Sequence, residues 1–258
     1  MNIGITGSTG VLGRICYGKL TAHGHRIFRF RGNVCEKGEL SSWLHEDSLD
    51  AVLHFAALVP VDKVKANPLN AYQTNVGGTI NLLKALSECG FYGWFFYASS
   101  SHVYRAQDNP LTEESEIAPS SLYGMTKYMG EKICYDFSES APFQICMGRI
   151  FSFYHNSQSG SFLYPVMKQR LKTDDLNKPF FLRGANSIRD FLNAEEVCEI
   201  IIKLMEKKYA GIINIASGKG VKIRDFVQSM TETTLQIESD DSENSIIGSV
   251  DRLNQVLV

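Results

Sequence analysis

Ile3-Gly4-Ile5-Thr6-Gly7-Ser8-Thr9-Gly10-Val11-Leu12-Gly13 sets a short apolar run, a glycine-spaced turn and the start of a helical pattern end to end. Few folds accommodate that succession. Gly7 permits a tight turn after a strand, Gly10 lets the backbone approach a bound group, and Gly13 lets the next helix pack close to the strand. A helix N-terminus here presents free N–H groups and the positive end of a peptide dipole, a setting suited to a pyrophosphate. The stretch Gly7, Ser8, Thr9, Gly10, Val11, Leu12 and Gly13 is therefore the expected dinucleotide cradle. The spacing is GxxGxxG, not GxGxxG, and glycine clusters also occur in ordinary turns. The preceding strand makes it informative.

Apolar runs of strand length alternate with helical patterns through the first two thirds of the chain. Ile3–Thr6, Arg26–Phe30, Ala51–Phe55, Trp94–Ala98 and Phe143–Arg149 read as strands covered on both faces. Val11–Ala22, Asn70–Glu88 and roughly Leu122–Ser138 read as helices; in the second, Val76, Ile80, Leu83 and Leu86 recur at helical spacing. The pattern predicts an α/β protein, a Rossmann-type doubly wound parallel sheet. The span from Glu36 to Ser48 is short for a strand–helix unit, so a stunted third strand is expected. Beyond about residue 150 loops, aromatics and short elements take over, with one clear helix, Ala194–Lys208, and a strand, Ile212–Ile215. The expected organisation is a dinucleotide-binding domain over 1–150, to which about 185–218 returns. Residues 151–258 then form a reduced C-terminal substrate-binding subdomain, a lid on the sheet. The acidic stretch Glu238–Asn244 is expected to be a loop.

A formal net charge of −2, with signs interspersed, gives no electrostatic case for nucleic acid or an anionic membrane surface. Cysteines 16, 35, 89, 134, 146 and 198 form no CxxC pair, so reduced thiols are expected, with no disulfide framework and no metal site. No run reaches the roughly 20 apolar residues of a membrane helix. The chain opens on an apolar strand without a basic leader, so a soluble, cytoplasmic protein is expected.

The end of the second strand usually meets the adenosine ribose. Arg29 and Arg31 stand there with no acid nearby in the chain, and an arginine can grip a 2′-phosphate with two N–H groups. NADP(H) is favoured and NAD(H) remains possible, since both arginines could be solvated surface groups. Tyr123-Gly-Met-Thr-Lys127 puts a phenol and an ammonium on one helical face, one turn apart. A cation beside the phenol favours the phenolate and fits it for proton transfer. YxxxK alone arises by chance, as a helix-surface pair. Its context is Tyr97-Ala-Ser-Ser-Ser-His-Val-Tyr104, a strand ending in hydroxyls, where a serine can hold a carbonyl oxygen. The small residues of His54-Phe-Ala56-Ala57 allow a cofactor to pass, and Asn75 lies early in the following helix.

These motifs closely resemble the extended short-chain dehydrogenase/reductase family of nucleotide-sugar enzymes, from Met1 to about residue 225. The family's ThrGlyxxGlyxxGly is Thr6–Gly13, its HisxAlaAla is His54–Ala57, its helix-opening Asn is Asn75, and its SerSerSerxValTyr is Ser99–Tyr104. The resemblance implies catalysis by Ser100, Tyr123 and Lys127. It also implies cofactor contacts from the glycine loop, Arg31, Ala56, Ala57, Asn75, Tyr123 and Lys127. Substrate contacts fall to Ser100, Ser101, His102, Ser152 and Arg189, the last in Arg189-Asp190-Phe191. A nucleotide-sugar substrate, a homodimer and a setting in polysaccharide biosynthesis are implied as well. Ser101-His102 replaces the Asp-Glu of the dehydratases, which argues against elimination of water, and His102 reads equally as a polar wall residue. Ser152 replaces the family's Asn after the sixth strand, and the chain stops short of the usual C-terminal substrate region. NADPH-dependent reduction of a 4-keto sugar is the favoured reading, supported by Val61-Asp-Lys63 before Asn67-Pro68. A 4-epimerase with retained NAD, or a non-catalytic dinucleotide sensor or assembly protein, are the alternatives.

Overall fold

The computed structural model describes residues 1–44, 48–59 and 61–258. Up to residue 150 the strands are β1 (Asn2–Thr6), β2 (Arg26–Arg29), β3 (Ala51–His54), β4 (Trp94–Ser100) and β5 (Gln144–Ile150). The helices among them are α1 (Val11–Ala22), α2 (Lys37–Leu44), α3 (Val61–Ala66), α4 (Pro68–Tyr72), α5 (Gly78–Glu88) and α6 (Leu122–Ser138). There follow β6 (Ser152–Tyr154), α7 (Leu163–Thr173), β7 (Phe180–Phe181), β8 (Ile188–Asn193) and α8 (Ala194–Glu206). The chain continues through β9 (Gly211–Ile215), β10 (Gly220–Lys222), α9 (Ile223–Gln228), β11 (Ile237–Glu238), β12 (Ser245–Ile246) and α10 (Asp251–Leu257).

Six strands form one parallel sheet in the order β2-β1-β3-β4-β5-β9. The chain reverses its direction of winding between β1 and β3, which opens a crevice at their carboxyl ends. The central strands are apolar on both faces because helices cover both. On one side Ile3 and Ile5 pack with Cys16 and Leu20 of α1, Val197 and Ile201 of α8, and Leu253 of α10. On the other, Val52, Phe95 and Ile145 pack with Leu40 of α2, Leu82 and Leu86 of α5, and Cys134 of α6. The chain is thus an α/β protein with a Rossmann-type core.

No third strand forms among the described residues between β2 and β3. Lys37–Leu44 is the helix α2 instead; residues 45–47 of the expected strand region lie outside the described residues. The reason is legible: Leu40 and Leu44 are four apart and buried together, a helical period without β-branched residues. The expected helix over 70–88 is interrupted, since α4 and α5 join through a π-helical turn at Gln73–Gly77.

After residue 150 there is more helix than the single one the sequence pattern showed. Helices α7, α9 and α10 are short, and α7 buries only Met167, so their apolar periodicity is faint. Helix α8 is clear because Asn193 and Glu196 form a capping box at its start. Strands β6, β8, β10 and β12 form a small second sheet, and β7 pairs with β11. Met167, Phe180, Leu182, Ala185, Val227 and Leu235 make a separate apolar cluster beneath them. Among the described residues no helix is long and apolar enough to cross a membrane.

Close packing of α1 on the glycine turn fixes the mouth of the crevice. A methyl added at Gly13 would lie 2.4 Å from the Gly7 carbonyl oxygen, whereas one at Gly18 meets nothing within 4 Å. Gly13→Ala should lower stability by about 1–3 kcal/mol. Gly18→Ala should raise it by up to about 1 kcal/mol, because alanine favours a helix interior. Urea unfolding of the two variants measures the contrast.

Candidate active site

The crevice is a cavity of about 840 Å³, bounded by the glycine loop, the ends of β4 and β5, and the small sheet. Its volume is that of a site for a sizeable organic ligand. Gly7, Thr9, Gly10, Val11, Leu12 and Gly13 line one end. Gly7 adopts φ +67°, and Gly10 caps α1 without any side-chain hydrogen bond. The first N–H groups of α1 therefore face the cavity with no side chain to satisfy them. That is the donor set a diphosphate requires, so the residues present fit a dinucleotide.

The opposite wall carries the phenol and the ammonium. Ser121 caps α6 by accepting the Gly124 N–H at 3.1 Å, which places Tyr123 in the first turn and Lys127 one turn later. At Gly124 a methyl would strike the His102 carbonyl at 2.2 Å, so glycine lets α6 press against the turn after β4. This contact brings Tyr123 to Ser100. Both hydroxyl residues line the cavity here, and burial raises the Tyr123 pKa to about 12 against a lowering influence of Ser100. The His102 backbone N–H donates to Ser100 Oγ at 3.3 Å, which holds the serine oxygen from behind.

Lys127 is 3% exposed. Its Nζ donates to the Ala98 carbonyl at 2.8 Å and stands 5.0 Å over the Tyr97 ring. Burial lowers its pKa from 10.5 to about 8, while Cys134 and Glu131 oppose the shift. His102 opens onto the cavity, its ring edge-on to Tyr123 with centroids 5.5 Å apart. Surrounding protein lowers its pKa, and repulsion from Arg189 adds to that, so the imidazole is neutral at pH 7. Ser101, Ser152, Ala57 and Arg189 also line the cavity. The Arg189 guanidinium donates to the carbonyls of Ile188 and Asn244 and has no carboxylate partner among the described residues. Its neighbour Asp190 turns the other way, fully buried, and accepts from Ser217, Gly218 and Gly248.

Four residues assigned to the cofactor from sequence stand elsewhere. Ser8 is buried in the turn, and Ala56 lies behind it, its N–H donating to Thr6 Oγ1 at 3.3 Å. Asn75 is 1% exposed and bonds both backbone groups of Leu58 and the Thr126 hydroxyl. It ties the end of β3 to α6 and does not line the cavity. Arg31 is exposed at the carboxyl end of β2, outside the cavity wall. Arg29 is stacked on Tyr17 at 4.5 Å. An acid does stand near this strand end, contrary to the linear reading: the Glu39 carboxylate reaches back from α2 to accept the Asn33 N–H at 2.8 Å.

Sequence reasoning missed Arg14, which follows Gly13 in the first turn of α1 and lines the cavity. It missed Tyr154, Tyr164 and Phe226 as well, whose rings gather with Phe191 at the small-sheet end. These come from four distant segments, and no local spacing marks them. Arg14 contacts Ser157, and the Ser161 hydroxyl donates to Asp62 at 2.7 Å, so loop 155–162 is fastened across the cavity mouth.

A family model described as GDP-mannose 4,6 dehydratase matches residues 5–258. The chain belongs to this family, among the extended short-chain dehydrogenase/reductases that act on nucleotide sugars. Similar curated proteins include GDP-6-deoxy-D-mannose reductase of Pseudomonas aeruginosa, 29% identical over 194 residues, covering 71% of this chain and 62% of that protein. UDP-glucose 4-epimerase 2 of Oryza sativa subsp. japonica is 26% identical over 234 residues, covering 82% and 57%. The chain thus spans less than two thirds of these relatives' length. Among solved structures, RMD from Pseudomonas aeruginosa complexed with NADPH superposes with TM-score 0.89 at 26% identity, covering 99% of this chain and 92% of that one. Thermus thermophilus UDP-glucose 4-epimerase with NAD shares the fold, with TM-score 0.86 at 18% identity and coverage of 99% and 92%. The cleft of this chain joins the glycine loop to Tyr123 and Lys127 and presents Ser101 and His102, not carboxylates, after the end of β4.

Lys127 binds fewer protons folded than unfolded between pH 8 and 10.5, so this group adds stability as pH rises through that window. At neutral pH its buried charge opposes folding. Lys127→Met should raise the melting temperature at pH 7 and shrink the gain in stability between pH 8 and 10, read by thermal unfolding across pH. A lower melting temperature would show the ammonium to be net stabilising.

Proposed function

We propose that this chain is an NADPH-dependent reductase of a nucleotide-linked 4-keto sugar. The observation that carries the reading is the meeting of Ser100, Tyr123 and Lys127 in the cavity that the uncapped N-terminus of α1 also faces. The likeness to a GDP-6-deoxy-D-mannose reductase and to an NADPH complex supports it.

A reduced nicotinamide dinucleotide held on the glycine loop would supply the hydride. The keto oxygen accepts from Ser100 Oγ and from the Tyr123 hydroxyl, which polarises the carbonyl. As negative charge develops on that oxygen, the Tyr123 proton moves to it. Tyr123 keeps its proton at neutral pH, being held near 12, and is therefore poised as an acid. The buried Lys127 ammonium stabilises the phenolate left behind, and its field is strong because water is excluded. Arg189 supplies a cation for the sugar nucleotide's diphosphate, and the aromatic group around Phe226 a flat surface for its base.

One feature favours the second reading, an epimerase with retained NAD. Glu39 brings a carboxylate to the turn after β2, where it would disfavour a 2′-phosphate. Arg31, exposed on the same turn, has the opposite effect.

Incubation with a panel of GDP-, UDP- and dTDP-linked 4-keto-6-deoxy sugars and either reduced cofactor, following loss of nicotinamide absorbance, tests the reading. Oxidation of NADPH with one sugar is expected. Tyr123→Phe should lower kcat by about 10²–10⁴-fold while dinucleotide binding persists. Turnover of a UDP-hexose without consumption of cofactor would make the chain an epimerase. Dinucleotide binding without turnover would make it a sensor.

In the same assay Arg31→Ala should weaken NADPH about tenfold relative to NADH, the loss of one charge-assisted contact. An unchanged ratio would remove Arg31 from cofactor selection.

A further inference from the structure

Glu131 and Arg149 are each 3% exposed and form a two-pronged ion pair, with Arg149 Nε 2.9 Å from Oε1 and Nη2 2.7 Å from Oε2. Neither lines the cavity, and the reaction above uses neither. A buried ion pair contributes little net stability, because desolvation offsets the attraction. It does fix geometry. The Glu131 carboxylate also accepts the Ser99 hydroxyl at 2.5 Å. Arg149 Nη1 donates to the Tyr104 hydroxyl and the Glu113 carbonyl, each at 2.9 Å, and Tyr104 donates to Asn214 Oδ1 at 2.7 Å. One network thus joins β4, α6, β5 and β9 behind the catalytic wall.

Ser99 and Ser100 alternate across β4: both border the cavity, but the Ser99 hydroxyl is turned to Glu131 of α6. Glu131 follows Lys127 by one helical turn. We propose that the Glu131–Arg149 pair positions the active site from the rear. It clamps Ser99, and through the Ser99–Ser100 peptide the hydroxyl that meets the keto oxygen, and it sets a fixed negative charge one turn behind Lys127. The proposal rests on the reductase reading of Ser100, Tyr123 and Lys127.

The groups facing Lys127 are Tyr97 from β4, His54 from β3, and Glu131 and Cys134 from its own helix, with Arg149 of β5 beyond Glu131. Glu131 is the carboxylate among them. Buried His54 has its pKa lowered to about 3 and is neutral at pH 7. Loss of the Glu131 charge therefore makes the ammonium easier to deprotonate.

Two variants test this. Ser99→Ala removes the serine link and leaves the ion pair intact. In NADPH-dependent reduction of GDP-4-keto-6-deoxymannose, or of whichever panel sugar is turned over, kcat should fall about tenfold or more, with KM and melting temperature little changed. A pair that only braced the fold would lower the melting temperature and spare kcat. Glu131→Gln should shift both the alkaline limb of kcat and the titration of Lys127 to lower pH by about one unit. The titration is read by NMR in protein carrying 13Cε-lysine, with Lys127→Arg assigning the resonance. An unchanged kcat in Ser99→Ala, or a Lys127 titration that does not move in Glu131→Gln, overturns the proposal. If the unaltered chain reduces none of the panel sugars, the reductase reading fails; the Lys127 titration still decides whether Glu131 holds the ammonium.

Discussion

The Thr6 hydroxyl meets His54 Nδ1 at 2.6 Å, and the other ring nitrogen reaches the Thr79 hydroxyl at 3.1 Å. All three side chains are almost fully buried. They join the end of β1, the end of β3 and the start of α5, the place where the sheet changes its direction of winding. In a buried setting each unpaired polar group would cost about 1–3 kcal/mol, so a satisfied chain of this kind enforces one geometry. Thr6 also accepts the Ala56 N–H, which fixes the backbone packed against the glycine turn. The cavity and the approach of a diphosphate to α1 depend on this junction. Its neutral imidazole adds no charge beside the buried ammonium of Lys127.

Much of this was readable in the linear order of residues. The bounds of α1 and α6 coincide with their apolar periodicity, and Ser121 marks the start of α6 with its own side chain. The central strands were visible because burial on both faces leaves no room for polar alternation. The meeting of Ser100, Tyr123 and Lys127 at one cavity was legible because few residue types suit proton transfer. Asn75 was not: an amide early in a helix can bind a ligand or a backbone equally well, and only the π turn at Gln73–Gly77 shows it facing Leu58. Glu39 was invisible as an acid at the end of β2, because α2 had to fold back before the two could meet. The ring cluster around Phe226 had no local signature, since two strands of the small sheet and helices α7 and α9 must come together to form it.

The site divides its polar groups by depth. At the surface of the cavity stand the uncapped α1 N–H groups and the Arg189 guanidinium, which has carbonyl partners but no carboxylate among the described residues, so a ligand's negative charge can meet both. Lys127 in the cavity wall and Glu131 and Arg149 behind it are charged and buried, the last two as an ion pair. Such an arrangement sacrifices stability for preorganisation, as functional sites commonly do.

Among the described residues α2 stands in place of a third strand, and β2 is the rim of the sheet. An open rim offers unpaired main-chain groups to any other chain that can extend alongside it. Here the rim is four residues long, half of them arginine: Arg26 covers the Phe28 ring and Arg29 covers Tyr17. Brevity and like charge discourage lateral growth into fibrils. Arg31, just past this rim, is exposed as well, so the short border that discourages lateral growth also leaves a cation open to solvent.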